Sequence, residues 1–190
     1  MWTERYDGMA RAATCCISRG RDYGKGMAEK PYRILFVCMG NICRSPAGEC
    51  VMRMMTESEG MGDEIECDSA GTIGYHAGNA PDARMRKAAT ARGIRIDGAA
   101  RQVRESDFSD FDLILTMDEE NFADVDQMRG RKGGRADVRR FCEFLTEHDD
   151  SDVPDPYYGG DAGFEYVLDL LEDGCAELIR KFKETGGRVA

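Results

Sequence analysis

Arg33-Ile34-Leu35-Phe36-Val37-Cys38-Met39-Gly40-Asn41-Ile42-Cys43-Arg44-Ser45-Pro46 is the stretch on which the reading of this chain turns. Residues 32–38 form a short run that is apolar on both faces, the pattern of a parallel strand covered from both sides. The run ends in a cysteine, and an arginine stands at the far end of a five-residue spacer. Ser45 suits a helix N-cap and Pro46 the first helical position. Ala47, Cys50, Val51, Met54 and Met55 then recur at helical spacing. A strand that passes through a tight loop into a helix start turns the loop's N–H groups, and the positive end of the helix dipole, toward one point. Gly40 and Asn41 are residue types that accept positive φ, as converging amides require. The stretch therefore predicts an anion cradle with the Cys38 thiol at its floor and the Arg44 guanidinium at its rim. On its own that cradle is compatible with a hydrolase, a reductase or a phosphoryl carrier.

Outward from the loop, residues 65–70 read as a second strand closed by Gly71. Residues 81–92 read as a helix, with Pro81 at its start and Gly93 just past its end. Residues 113–117 form another apolar strand, which runs into the helix-opening sequence Asp118-Glu119-Glu120-Asn121. Residues 138–145 fit neither period. Phe164, Val167, Leu168, Leu171, Cys175, Leu178, Ile179 and Phe182 make one long apolar stripe. Strands alternating with helices predict a single three-layer α/β domain: a short, mostly parallel sheet with helices on both faces, and a phosphate-binding loop after the first strand. Ligands of such sheets bind beyond the carboxyl ends of the strands, where Cys38 and Met117 fall.

At 190 residues with no internal repeat, one domain is expected, spanning residues 31–185, with a C-terminal tail over 186–190. Residues 1–30 read as an N-terminal extension, either disordered or a product of start-site choice with Met27 as the true start. The first 26 residues hold five Lys/Arg against three Asp/Glu and lack the apolar core of a secretory signal; Glu4, Asp7 and Asp22 count against a transit peptide. The net charge of −10 argues against nucleic-acid or membrane partners, since both need a positive field. No apolar stretch approaches the length of a membrane span. Of the eight cysteines, Cys38 ends an apolar strand, Cys50 and Cys175 fall on apolar helix faces and Cys67 lies in a strand-like segment; none has zinc spacing, and the histidines number two, His76 and His148. Neither a metal nor a cofactor is expected. Reduced thiols in the cytoplasm, and a monomer, are.

A free thiol has a pKa near 8.5, which a helix N-terminus and a nearby cation lower to roughly 3.5–7.5. Ser45 is placed to give its hydroxyl proton to such a thiolate. Arg44 is suited to grip two oxygens of a tetrahedral phosphate. A thiolate attacking phosphorus needs a proton donor for the departing oxygen. The best candidate is Asp155, in Val153-Pro154-Asp155-Pro156-Tyr157-Tyr158-Gly159-Gly160, where two prolines stiffen the loop and two tyrosines offer pocket walls. Beside a thiolate and a bound phosphate its pKa should rise, favouring the acid form. Read alone, the Asp-Pro pair is also ordinary turn chemistry.

Cys38-Met39-Gly40-Asn41-Ile42-Cys43-Arg44-Ser45 with the distant Asp155-Pro156-Tyr157-Tyr158 resembles the low-molecular-weight protein tyrosine phosphatase family. The likeness runs from about residue 31 to about residue 183 and includes Asp68-Ser69-Ala70-Gly71-Thr72, Ala100-Arg101-Gln102, Asp107-Phe108 and Met117-Asp118-Glu119-Glu120-Asn121. The resemblance implies that Cys38 forms a cysteinyl-phosphate and that Arg44 and the amides of residues 39–45, from Met39 and Gly40 to Cys43 and Ser45, bind the phosphoryl oxygens. It implies that Asp155 protonates the leaving phenolate and then assists hydrolysis. Ser45, Asn41 and Ser69 would be supporting residues, and Asp118 would orient Arg44 or, equally, cap its helix. Met39, Ile42, Tyr75, Tyr157 and Tyr158 would frame the aryl ring of phosphotyrosine proteins or small aryl phosphates. Cys43 would pair reversibly with Cys38, or simply fill space. There are departures: family members often carry tryptophan where Tyr75 falls, and a histidine that braces the loop in some aligns near Gly98, which leaves the support of Asn41 open. Arsenate reductases and protein-arginine phosphatases are the nearest rivals; the first need further relay thiols and the second typically carry threonine at the position of Ile42.

Overall fold

In a computed structural model of the protein, residues 30–189 are described, apart from the side chains at 131, 132 and 158. The expected N-terminal extension thus lies outside the described residues. Strand β1 (Tyr32–Cys38) leads through the loop into helix α1 (Arg44–Ser58), followed by β2 (Ile65–Gly71) and α2 (Ala83–Ala91). A short helix α3 (Asp107–Asp110) precedes β3 (Leu113–Thr116), then come α4 (Glu119–Lys132), β4 (Asp137–Arg140) and the long α5 (Gly160–Thr185). The sheet order is β2-β1-β3-β4, and every pairing is parallel. The chain steps from β1 outward to β2 and then returns past β1 to β3. The carboxyl end of β1 is therefore the point where the winding reverses, which is where ligands bind in open parallel sheets.

The period of two along β1 sorts its side chains between two cores. Ile34, Phe36 and Cys38 join one core with residues of α1, α2 and α5, whereas Leu35 and Val37 join the other with Phe108, Phe111 and Val125 from the α3–α4 side. This is the three-layer arrangement that alternation predicts. The C-terminal stripe is buried along its whole length in α5; Leu168, Leu171 and Leu178 are fully enclosed, each contributing about 1.5–3 kcal/mol by burial. Helix α1 lies close to the sheet because Gly48 faces Phe36: a Cβ there would meet the Phe36 ring at 2.8 Å.

Several boundaries differ from the sequence reading. Helix α1 begins at Arg44, so Ser45 and Pro46 sit inside its first turn and Cys43 takes the cap position without a side-chain bond. Pro46 is tolerated because the amides of a first turn have no helical partner to lose. Helix α2 is shorter than residues 81–92, because the Asp82 carboxylate caps it by accepting from the Arg84 backbone N–H at 2.8 Å. The ambiguous residues 138–145 resolve into β4 and a 3-10 turn, Phe141–Phe144, which buries both phenylalanines. Near the C-terminus Val189 packs into the α5 core.

Candidate active site

The loop from Cys38 to Ser45 is shaped by its own atoms. Asn41 has φ +55°, the left-handed conformation found at no other described non-glycine residue. That turn brings the Asn41 N–H to 3.3 Å from Cys38 Sγ. The Asn41 amide then spans the loop: its Nδ2 donates to Ser45 Oγ at 3.0 Å, and its Oδ1 accepts the Arg101 backbone N–H at 2.8 Å. The brace on Asn41 is therefore a main-chain group of the Ala100-Arg101-Gln102 segment, which needs no histidine at position 98. Arg101 is itself fixed by ion pairs to Asp68 and Asp107.

Ser45, displaced from the cap, has its Oγ 3.0 Å from Cys38 Sγ and 3.2 Å from the Ala70 carbonyl. Its one proton can go to either, and an ionised sulfur is the stronger acceptor. Cys38 and Cys43 are both buried. Burial first, and then the nearby Asp82 and Cys38, push the Cys43 thiol up to about 12, so Cys43 remains a neutral thiol beside Cys38.

Arg44 is buried to 4% exposure, yet all its charge is directed. Nη1 donates to Asp118 Oδ2 at 2.6 Å and to the Val153 carbonyl at 3.1 Å, and Nη2 donates to Asp155 Oδ2 at 3.3 Å. Burial disfavours this cation, but Cys38, Asp118 and Asp155 outweigh it and hold its pKa above the ordinary arginine value. Asp118 fills both roles left open by the sequence, since its second oxygen caps α4 by accepting from Asn121 N at 2.7 Å. Asp155 is held in its turn by the Tyr157 N–H, 3.0 Å from Oδ1.

Cys38, Met39, Gly40, Ile42, Cys43, Arg44, Tyr75, Asp155 and Tyr157 line one cavity. The cavity thus gathers nine of the fourteen residues singled out from sequence, and Asn41, Ser45 and Asp118 bond directly to Cys38, Arg44 or each other behind it. Tyr75 stands at the mouth, 84% exposed. Tyr158 belongs by its backbone to the 3-10 turn Pro156–Tyr158, but its side chain lies outside what is described. Ser69 stands apart: its hydroxyl donates to Glu49 at 2.7 Å, and it is the neighbouring Ala70 that supplies an acceptor to the loop.

Two residues escaped the sequence reading. His76 lines the same cavity, with its ring edge-on to Tyr75 at 4.9 Å and its Cδ2 3.0 Å from where a Cβ on Gly40 would lie. Its adjacency to Tyr75 was the available signal. Arg84 contacts Tyr157 from the start of α2, across 73 positions of sequence, and no local pattern announces that. Among the described residues no group of three His, Cys, Asp or Glu side chains is placed to hold a metal ion, and no helix is long and apolar enough to cross a membrane.

Residues 33–187 match the family model described as low molecular weight phosphotyrosine protein phosphatase. The chain is 41% identical over 152 residues to the low molecular weight protein-tyrosine-phosphatase YfkJ of Bacillus subtilis, covering 80% of this chain and 96% of the relative. It is 38% identical over 160 residues to the human low molecular weight phosphotyrosine protein phosphatase, covering 82% and 99%. A crystal structure of the Entamoeba histolytica protein tyrosine phosphatase superimposes with a TM-score of 0.76 at 42% identity, covering 82% of this chain and 99% of that one.

Proposed function

The chain belongs to the low molecular weight phosphotyrosine protein phosphatase family, and from that membership we infer that it is a cysteine-dependent protein tyrosine phosphatase. It hydrolyses phosphate monoesters, preferentially protein phosphotyrosine, through a cysteinyl-phosphate. We propose the following roles for its residues. The Cys38 thiolate attacks phosphorus, Arg44 and the loop amides hold the equatorial oxygens, and the Asp155 carboxyl protonates the departing phenolate. Water then attacks the phosphocysteine, with Asp155 accepting its proton and Cys38 leaving as a thiolate stabilised by the Ser45 hydroxyl. Met39, Ile42, Tyr75 and Tyr157 pack against the aryl ring.

The observation that carries this assignment is the convergence on Arg44. One buried guanidinium bonds both Asp118 and Asp155 and shares a cavity with the Cys38 sulfur. A phosphoryl group entering between Cys38 and Arg44 competes with Asp155 for Nη2, which frees the carboxyl to take up a proton and face the leaving oxygen. Turnover of p-nitrophenyl phosphate in EDTA tests the roles. Cys38→Ser should abolish it, and Asp155→Ala should slow it by about 10²–10⁴, the share that a general acid supplies. Full activity in Cys38→Ser would remove the nucleophile from the scheme, and an unchanged rate in Asp155→Ala would mean another acid.

We read the protein also as a cytoplasmic monomer. Six free thiols among the described residues support the reducing compartment; sedimentation would test the monomer. Redox control is proposed on the same loop: peroxide converts the Cys38 thiolate to a sulfenic acid, and the Cys43 thiol displaces water to close a disulfide. Peptide mapping after peroxide treatment would find that bond or its absence.

A further inference from the structure

Arg84 links the two halves of the cavity from outside its lining. Its Nη1 donates to the Tyr157 carbonyl at 2.9 Å, and its guanidinium lies over the Tyr157 ring at 4.8 Å and the Phe164 ring at 4.9 Å. Asp82 fixes the other edge of the same group: Oδ1 accepts from Nε at 3.1 Å and Oδ2 from Nη2 at 2.9 Å. Asp82 is in turn tied to the phosphate loop, because its backbone N–H donates to the Ile42 carbonyl at 2.8 Å. A chain of direct contacts therefore runs from Ile42 through Asp82 and Arg84 to Tyr157, and the Tyr157 N–H holds Asp155 Oδ1.

An exposed arginine–aspartate pair on a helix surface ordinarily contributes little. Here the guanidinium is held by three acceptor atoms at its edge while stacking on aromatic rings, a geometry that only a planar fork satisfies. What it immobilises is the 3-10 turn Pro156–Tyr158, which directly follows Asp155. On the far side of Asp155 the segment is anchored by Val153, whose N–H donates to the Met117 carbonyl at 2.7 Å. Arg84 thus adds a hold from α2 on the turn that follows Asp155, and its loss loosens the aim of the carboxyl at the leaving oxygen.

We propose that Arg84 is a positioning residue for the proton donor, holding Asp155 over the phosphate loop through Tyr157; this rests on the reading of Asp155 as the general acid. The consequence is specific. Loss of Arg84 impairs reactions in proportion to their need for a proton donor, whereas a general loss of folding or phosphate binding impairs all substrates alike.

The test measures kcat/KM for phenyl, p-nitrophenyl and dinitrophenyl phosphate with the wild type, Arg84→Met, Arg84→Gln, Asp155→Asn and Arg84→Met combined with Asp155→Asn. Arg84→Met keeps bulk against the rings, and Arg84→Gln is a second, polar replacement should Arg84→Met fold poorly. With the poor leaving group, phenol, each Arg84 variant should lose about tenfold, while dinitrophenyl phosphate stays within about twofold. In the Asp155→Asn background Arg84→Met should cause no further loss, because its effect passes through the carboxyl. An equal loss for all leaving groups, or losses that multiply in the double variant, would overturn the proposal. An unchanged leaving-group dependence in Asp155→Asn would instead overturn the acid assignment, and the proposal with it.

Discussion

The phosphate loop and the acid side of the cavity are built on opposite plans. The loop is one contiguous segment whose geometry comes from backbone conformation and side-chain bonds to Asn41 and Ser45, set at a strand end and a helix start. The acid side is assembled from residues 75–84 and 153–157, joined by the Arg84 guanidinium through a hydrogen bond to the Tyr157 carbonyl and stacking on its ring, and tied to the loop by the Arg44–Asp155 ion pair. The first is preorganised and buried, the second adjustable and partly exposed. Binding a phosphate requires fixed donors, and exchanging a leaving group for water requires a carboxyl that can be released from one partner and turned toward another. Arg44 is where the two plans meet, so it offers the most severe test of the contrast. Arg44→Lys retains a charge but loses the fork, and should lower kcat/KM for aryl phosphates by about 10³-fold, the upper range for removing a transition-state donor. A loss of less than tenfold would mean that the loop amides suffice alone.

A second test distorts the loop without touching a reacting group. A Cβ at Gly71 would meet the Met39 carbonyl at 2.7 Å, the Ile73 carbonyl at 3.1 Å and Asn41 N at 3.2 Å, all of them backbone atoms with little room to yield. Gly71→Ala should cost about 1–3 kcal/mol of stability by denaturant titration. It should also lower kcat by about tenfold to a hundredfold, as small misplacements of reacting groups do. Intact kcat with lowered stability would show that the loop holds its shape against pressure from β2.

The difference between the two plans also explains what was legible in the sequence. The loop could be read because a strand end, Gly40-Asn41, Arg44 and Ser45-Pro46 are neighbours in the chain, and local rules bear on neighbours. Even there Ser45 was misplaced as a cap: the rule is indifferent to whether a hydroxyl faces its own helix or a sulfur across the loop, and tertiary geometry decided it. Asp118 was seen in both roles because each of its oxygens serves one. On the acid side Asp155 was visible through its prolines, but Arg84 was not, since it meets Tyr157 across 73 positions, and His76 was passed over although its neighbour Tyr75 had been singled out. The support of Asn41 was hidden for a further reason, as it comes from the backbone N–H of Arg101, which any residue but proline could supply.

The wall of the mouth gives a smaller effect. Tyr75 is exposed, lines the cavity and packs against His76 with the two rings nearly perpendicular. Tyr75→Ala should raise KM for aryl phosphates by about twofold to tenfold, in keeping with the 0.5–1.5 kcal/mol of an aromatic pair, and leave kcat unchanged. Tyr75→Trp should keep KM within about twofold of the wild type, since a larger ring replaces the stacking. A fall in kcat with unaltered KM in Tyr75→Ala would assign the ring to the chemistry instead of to substrate capture.

The smallest effect on turnover is expected at Asp173, a buried carboxylate of α5 that ties down the chain ahead of the acid segment. It accepts from Thr146 N and Oγ, from the backbone N–H groups of Glu147 and His148, and it lies 2.9 Å from His148 Nδ1. Burial pushes this carboxyl up, but the bonds from His148, Thr146 and the backbone outweigh it and hold its pKa below the usual carboxylate value. A carboxyl with a depressed folded-state pKa contributes stability that is complete above its unfolded pKa of about 3.9 and is lost as pH falls through the lower folded value. Asp173→Asn turns an amide toward groups that are themselves donors, so at pH 7 the variant should unfold at a lower urea concentration than the wild type. As the pH drops below about 4 the wild type gives up the same contribution and the two midpoints should converge. A gap that stays constant with pH would mean that the charge of Asp173 is not what secures residues 146–148. Turnover at pH 7 should change by less than about twofold, because Asp155 is fixed from both sides by Val153 and Tyr157 and two tethers survive the loss of a more distant one. A larger fall in kcat would extend the acid side's network of long-range bonds back to α5, and would make the adjustable half of the cavity larger than its lining.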